Sequence, residues 1–436
     1  MLQESDAGRL IKRVLMFRDG GWDEAVLKRT QLCLLDSLAS FSGGLVLPHF
    51  KQSAAGMLRS LSGTGADPEL SPFLIAYLYG QAAIAMDFDD SFYGHPGGPI
   101  VATLLAVGVE RKLTLDQVLR GIAAGYEAHG ILCGASDPTP EHAALVRSVG
   151  NLDTVAASIG AACALGYDAK DVDRLIGVAV AHTVIPYTAK WYERPVPSMK
   201  NNVGWIAAGA VLAIHLAEEG QTGATSPLQG NNGLWRMIGS DRWGLDDRLF
   251  EQKTAVLRTG FKRFPGCWWT QPYLKSFATL LERLEPGDNV KKVVVSATPD
   301  IEKFCVEALL GTADVAFSLP AMFRCQMEGI DPGPQWVLAE KSMPAPKIEY
   351  RKETSCRIQV FTTSDRILSI PVNSNSIVDA AEHGLSEEEV IAKFRNLTDG
   401  DVRRAGELCL LDERSRDIEP TELYHAVIQR LADLTI

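Results

Sequence analysis

Between Asp23 and Glu218 apolar residues recur at helical spacing, stretch after stretch, and several stretches are rich in alanine and glycine. In Asp23–Phe41 they fall at Val26, Cys33, Leu34, Leu38 and Phe41, and Gly43-Gly44 stops the run. Pro72–Ala85, Ile100–Lys112, Leu115–Leu132, Thr154–Leu165, Val172–Val184 and Val203–Glu218 show similar spacing. Small residues such as Ala156-Ala157-Ser158 and Gly160-Ala161-Ala162 let helices pack closely. The pattern predicts a large bundle with helices inside helices. Near residue 258 the texture changes. Val290–Ser296 reads as a strand, while Arg357–Thr362 and Arg366–Val372 alternate polar with apolar residues. A polar, proline-rich stretch, Asp331–Lys347, lies between them. Ser386 with Glu389 makes a capping-box start, and Val402–Asp412 and Pro420–Leu434 are helical again. The expected fold is mainly α. A discontinuous all-helical domain spans 1–257 and is completed by 400–436, with a smaller inserted α+β lid domain over 258–399.

Composition narrows the partners. A chain of 436 residues can bury large cores without disulfides or metals. Its 43 basic and 54 acidic residues leave a net charge of −11, so no basic patch for nucleic acid is implied. Eight scattered cysteines, none in a C-x-x-C pair, fit reduced buried thiols and a cytoplasmic setting. The opening Met-Leu-Gln-Glu-Ser-Asp lacks the basic-then-apolar order of a secretory signal. The longest greasy stretch, Val203–Ala217, is too short to span a bilayer, so no membrane partner is expected. Metal-ligand clusters, a Walker loop, a G-x-S-x-G elbow and G-x-G-x-x-G after a strand are all missing, so the sequence advertises neither cofactor nor metal.

Three stretches could carry chemistry. The first is Ala85-Met-Asp-Phe-Asp-Asp-Ser-Phe-Tyr-Gly-His-Pro-Gly-Gly-Pro-Ile. Asp87 and Ser91, four apart, would share a helix face. Gly94, Pro96 and Gly97-Gly98 then break the helix, and Pro99 opens the next one. His95 would sit at the junction, beside a helix N-terminus suited to a carboxylate. An imidazole there, oriented by an aspartate, suits general acid/base work; a solvated turn suits it too. Asp87-Phe-Asp-Asp also matches the D-x-D-D of class II terpene cyclases, but those enzymes' aromatic-rich repeats are missing. The second stretch holds Lys200, after the rigid Arg194-Pro-Val-Pro-Ser198. With Ser198 as cap, Lys200 falls in the first helical turn, where an anionic ligand would relieve it. The third is Phe261-Lys-Arg-Phe-Pro-Gly-Cys, whose Lys262 lies at the domain boundary. Each lysine also suits a solvated surface. His129, His182 and His215 lie on apolar helices and read as core or boundary residues.

Together, in this order and spacing, these stretches resemble the MmgE/PrpD family, which includes 2-methylcitrate dehydratase, cis-aconitate decarboxylase and iminodisuccinate epimerase. Leu34-Leu-Asp-Ser-Leu-Ala is similar to its early L-L-D-x-L-A helix, and Phe317-Ser-Leu-Pro320 to its F-S-L-P-Y. The resemblance implies a mostly helical domain plus a smaller α+β lid, a homodimer and no cofactor. It matches Asp87, Ser91 (usually Thr) and His95 to one active-site segment, and Lys200 and Lys262 to two active-site lysines. Three positions depart. Asn151 stands where the family often has a second catalytic His, Gln271 where it has another His, and Ala321 where it has Tyr. Asn cannot exchange a proton at neutral pH, and Ala offers no hydroxyl. The implied activity is a cofactor-independent lyase that dehydrates or decarboxylates a citrate- or aconitate-like acid. Lys200 and Lys262 would clamp carboxylate and stabilise enolate-like charge. His95, oriented by Asp87, would move the proton. Ser91 and Asn151 would bind substrate oxygens, with Gln271 and Ala321 lining the pocket. An epimerase or isomerase, a rebuilt specialised-metabolism enzyme and a non-catalytic metabolite or partner binder stay open as alternatives.

Overall fold

The computed structural model describes residues 5–61, 70–143, 152–184, 192–198, 202–411 and 416–434. The protein is mainly α with a smaller α+β part. The expected helices form as Glu24–Gly44, Pro72–Ile84, Gly97–Arg111, Leu115–Ala135, Asp153–Ala164, Ala169–Val180 and Val203–Glu218. Side chains tie down their first turns. Asp23 accepts from the amides of Ala25 and Val26, Ser71 from Leu74, and Thr114 forms a reciprocal capping box with Gln117. Asp6–Asp19 and Pro48–Leu61 are also helical, with only short buried stripes amid polar residues. In Pro72–Ile84 every residue from Leu74 onward is buried, so this helix has no solvent face.

Glycine sets how closely the inner helices cross. A Cβ on Gly160 would lie 2.6 Å from the Gly121 carbonyl oxygen, so Asp153–Ala164 can meet Leu115–Ala135 backbone to backbone. At Gly204 a Cβ would lie 2.4 Å from the Tyr77 oxygen, fixing Val203–Glu218 against Pro72–Ile84.

The sheet has four strands: β1 (Val290–Ala297), β2 (Ile348–Lys352), β3 (Arg357–Thr362) and β4 (Ile367–Pro371), in the order β2-β1-β3-β4. β1 runs parallel to β2 and antiparallel to β3, which pairs antiparallel with β4. Central β1 is buried without interruption from Val293 to Ala297, while edge strand β4 alternates. Helices Gln271–Leu281 and Leu319–Met327 join this core, the Phe277 and Phe323 rings stacking 4.0 Å apart. β2 was not anticipated, because as a half-exposed edge its Ile-Glu-Tyr-Arg-Lys lacks an apolar run.

Two apolar clusters organise the molecule. One gathers the bundle; the other gathers the sheet, residues 264–372 and Val196 from upstream. The chain rejoins the bundle at Leu385 rather than near 400. Helix Glu387–Leu397 buries Val390 and Phe394 in the helical cluster, against Glu24–Gly44. Its acidic first turn hides this allegiance in the sequence. The capping box of Ser386 and Glu389 forms as expected.

Candidate active site

After helix Pro72–Ile84 the chain does not stay helical. The Asp87 amide still donates to Ile84 O (2.9 Å), but Asp87 takes φ +51°, a left-handed conformation that aspartate tolerates better than most residues. Its carbonyl accepts from the Gly266 amide and from Lys262 Nζ, both at 3.0 Å. Ser91 pairs with Gly260 through two backbone bonds of 2.8 and 2.9 Å. Thus Asp87 and Ser91 do not share a helix face. They belong to an irregular segment stitched onto residues 260–266. Helix Gly97–Arg111 follows, and the carboxylate at its start is the chain's own: Asp90 Oδ1 accepts from the Gly97 amide (3.0 Å) and Oδ2 from the Tyr126 hydroxyl (2.5 Å). A Cβ on Gly97 would lie 2.8 Å from each of these side chains, so glycine is required for the approach.

Inside this frame four charged or titratable side chains meet, all at most 5% exposed. His95 Nδ1 faces both oxygens of Asp89, at 3.1 and 3.2 Å, while Nε2 lies 3.8 Å from Asp87 Oδ1. Lys262 Nζ donates to Asp87 Oδ1 at 2.6 Å and lies 3.6 Å from Asp89 Oδ1. The acid that orients His95 is therefore Asp89, not Asp87, which is the partner of Lys262. Burial opposes the charge on Asp89, but His95 and Lys262 outweigh it and hold the carboxyl below its ordinary value. Burial likewise opposes the Lys262 ammonium, and Asp87 with Asp89 more than compensates, raising its pKa. Lys262 is a fixed cation, not a lysine lowered toward neutrality to move protons. Asp87, Asp89 and His95 offer ligand atoms within 4.8 Å of one another, the spacing of a cation site, and Lys262 supplies positive charge there.

The remaining predicted site residues divide. Lys200 and Asn151 lie outside the described residues. The helix after Lys200 begins at Val203 with Asn202 as its N-cap, so Ser198 is not the cap. Ser91 is buried, its hydroxyl 3.4 Å from Gly94 O. Gln271 clamps a loop: Oε1 accepts from the amides of Arg263 and Phe264 (both 3.1 Å), and Nε2 donates to Phe264 O (2.9 Å) and Gly266 O (3.1 Å). Its amide is saturated, so it shapes the loop that carries Lys262 rather than offering a hydrogen bond to a ligand. Ala321 is buried in the first turn of Leu319–Met327, its amide donating to Ser318 Oγ at 3.2 Å.

His129 is a fully buried residue with both nitrogens engaged, by Asp153 (2.6 Å) and by the Phe92 carbonyl (2.7 Å). Facing a carboxylate and a carbonyl, both nitrogens donate. Burial opposes that charge, but Cys133 and Asp153 hold its pKa well above the ordinary value. His215 pairs with Glu110 at 3.1 Å near the surface, and His182 is half-buried at a helix end.

Sequence reasoning missed Lys393 and Asp36. Lys393 Nζ is buried on Asp36 Oδ1 (2.7 Å), donates to the Phe88 carbonyl, lies 3.4 Å from Lys262 O and sits 3.8 Å above the Phe88 ring. The available signal was a carboxylate in the apolar run Leu34-Leu35-Asp36, which needs a partner once buried. Two clefts flank the site: one of about 380 Å³ lined by Trp268, Gln271 and Lys275, and one of about 540 Å³ lined by Phe88, Arg263 and Lys393. His95, Asp87, Asp89 and Lys262 line neither.

All eight cysteines are free thiols, and no single described helix is long and apolar enough to cross a membrane. Residues 14–245 match the family model described as the MmgE/PrpD N-terminal domain. This covers the Asp87–His95 segment and stops short of Lys262 and Lys393. No curated protein matches the chain.

Proposed function

The chain belongs to the MmgE/PrpD family, whose members are dehydratase-like or related enzymes, and from that premise we propose that it is a cofactor-independent lyase acting next to a carboxylate. The observation that carries this is the buried Asp89–His95 pair beside the Asp87–Lys262 pair. Asp89 accepts from Nδ1–H and so directs proton exchange to Nε2, the logic of an acid-oriented imidazole. Lys262 pairs with Asp87, helps hold Asp89 ionised in a dry setting, and adds positive potential where charge develops on substrate. Lys200 is the proposed direct clamp for the substrate carboxylate, with Asn151 and Ser91 toward its oxygens. A single imidazole in the cluster suits one proton transfer at carbon, as dehydration or decarboxylation of a citrate- or aconitate-like acid requires, better than the paired transfers of an epimerase. The reading extends to a cytoplasmic homodimer, which light scattering at micromolar concentration tests in its oligomeric part.

The activity test is incubation with citrate-, methylcitrate- and aconitate-like acids in deuterated water, followed by NMR. Expected is turnover with solvent deuterium at carbon in the product or the recovered substrate, turnover being reduced about 10²–10⁴-fold by His95→Asn, the usual worth of a positioned acid/base. Full activity in His95→Asn with no deuterium at carbon would sink the mechanism.

A further inference from the structure

Lys393 lies 305 residues from Phe88 and 357 from Asp36, on helix Glu387–Leu397, which packs against Glu24–Gly44. Its ammonium touches Asp36 from Glu24–Gly44, the Phe88 carbonyl between the two site aspartates, and the carbonyl of Lys262. Three chain segments that carry or flank the site thus meet on one cation. We propose that Lys393 is a positioning residue: its bond to the Phe88 carbonyl fixes the Phe88–Asp89 peptide plane and so aims Asp89 at His95.

Backbone bonds to residues 260–266 hold Asp87 on one side of that peptide and Ser91 on the other, and the Phe88 carbonyl between them is held by Lys393. Asp87 precedes the peptide in a left-handed conformation. Rotation of the peptide would swing the Asp89 side chain away from the imidazole. Stability alone does not explain the lysine. A buried ion pair is commonly no better than neutral groups of the same shape. In agreement, burial pushes Asp36 above and Lys393 below their ordinary values in spite of their pairing.

The inference rests on the proposed lyase reading for its catalytic consequence, but not for its structural one. Three variants test it: Lys393→Met, Asp36→Asn, and the double variant K393M/D36N, which removes both charges. Each is measured by thermal melting, by hydrogen–deuterium exchange of peptides spanning 86–95, and by kcat and KM on whichever acid the wild type converts. K393M/D36N should melt near the wild type, yet exchange about tenfold or more faster over 86–95 and lose about tenfold or more in kcat with little change in KM. D36N keeps the donor to Phe88 and should keep the protection. If the double variant regains wild-type exchange and kcat, or if D36N loosens 86–95 as much as K393M does, Lys393 is merely half of a structural pair. Should the wild type convert none of the acids, the lyase reading fails and the exchange measurement still decides the positioning role.

Discussion

Lys262→Met keeps most of the side-chain volume and removes one charge from a site where two carboxylates depend on it. Asp87 loses its 2.6 Å partner, while its carbonyl keeps the Gly266 amide and Asp89 keeps His95. The buried Asp87 carboxylate loses its closest cation, with His95 Nε2 3.8 Å away. Deleting one member of a buried pair costs about 3–5 kcal/mol. At roughly 2.1 cal/mol/K of unfolding entropy per residue, a chain of 436 residues has about 0.9 kcal/mol/K, so the melting midpoint should fall by about 3–6 °C if the chain melts as one unit. The deficit should depend on pH. A buried carboxyl that has lost its nearest cation resists ionisation, so its folded pKa rises above the unfolded one and the penalty grows as pH rises. Scanning calorimetry should therefore show a larger loss at pH 8 than at pH 5, and Asp87→Asn added to Lys262→Met should recover most of it. A variant melting within about 1 °C of the wild type at both pH values would refute the buried Lys262–Asp87 pair.

Other perturbations probe other parts. Asp89→Asn should reduce turnover by about 10²-fold or more by losing the acid that orients His95, whereas Ser91→Ala should cost less than about tenfold; the reverse order in steady-state rates would misassign the orienting residue. Burial and the neighbouring Asp36 and Asp89 push Asp90 up to about 7. Its folded value lies above its unfolded one, so stability should be greatest below the unfolded value of about 4, fall as pH rises toward 7 and level off above, by an amount on the order of 4 kcal/mol at most. Asp90→Asn should flatten that slope in urea midpoints measured from pH 4 to 8. Gly204→Ala places a methyl 2.4 Å from Tyr77 O and should destabilise by about 1–3 kcal/mol, against no change if those helices can part freely.

The bundle was legible because its helices have long apolar stripes and clean caps, and because alanine and glycine announced close crossings that Gly160 and Gly204 now make. Strands β1, β3 and β4 were legible for the same reason of period. Edge strand β2 was not, since a strand with one free side needs no apolar run. Within the site, residue types were readable and partners were not. Spacing of four suggested that Asp87 and Ser91 share a helix face, but the helix ends at Ile84 and a left-handed turn at Asp87 hands His95 to Asp89 instead. Lys262 read as an anion clamp from its place at the domain boundary and from the family resemblance; only the fold shows it facing inward onto two acids. Lys393 was invisible because its partners lie hundreds of residues upstream.

That separation bears on how the molecule is made. Residues 264–372, which gather the sheet's apolar cluster, are almost continuous in sequence and can collapse as they emerge. The bundle cannot finish so early. Until helix Glu387–Leu397 arrives, Asp36 lacks its hydrogen-bonded cation in an apolar wall, and a groove on Glu24–Gly44 stays uncovered. At roughly 5–20 residues per second of synthesis, the 357 residues between Asp36 and Lys393 correspond to about 18–70 s in which the nascent chain shows that groove to chaperones. A ribosome stalled before Leu385 would hold a finished sheet and an unfinished site.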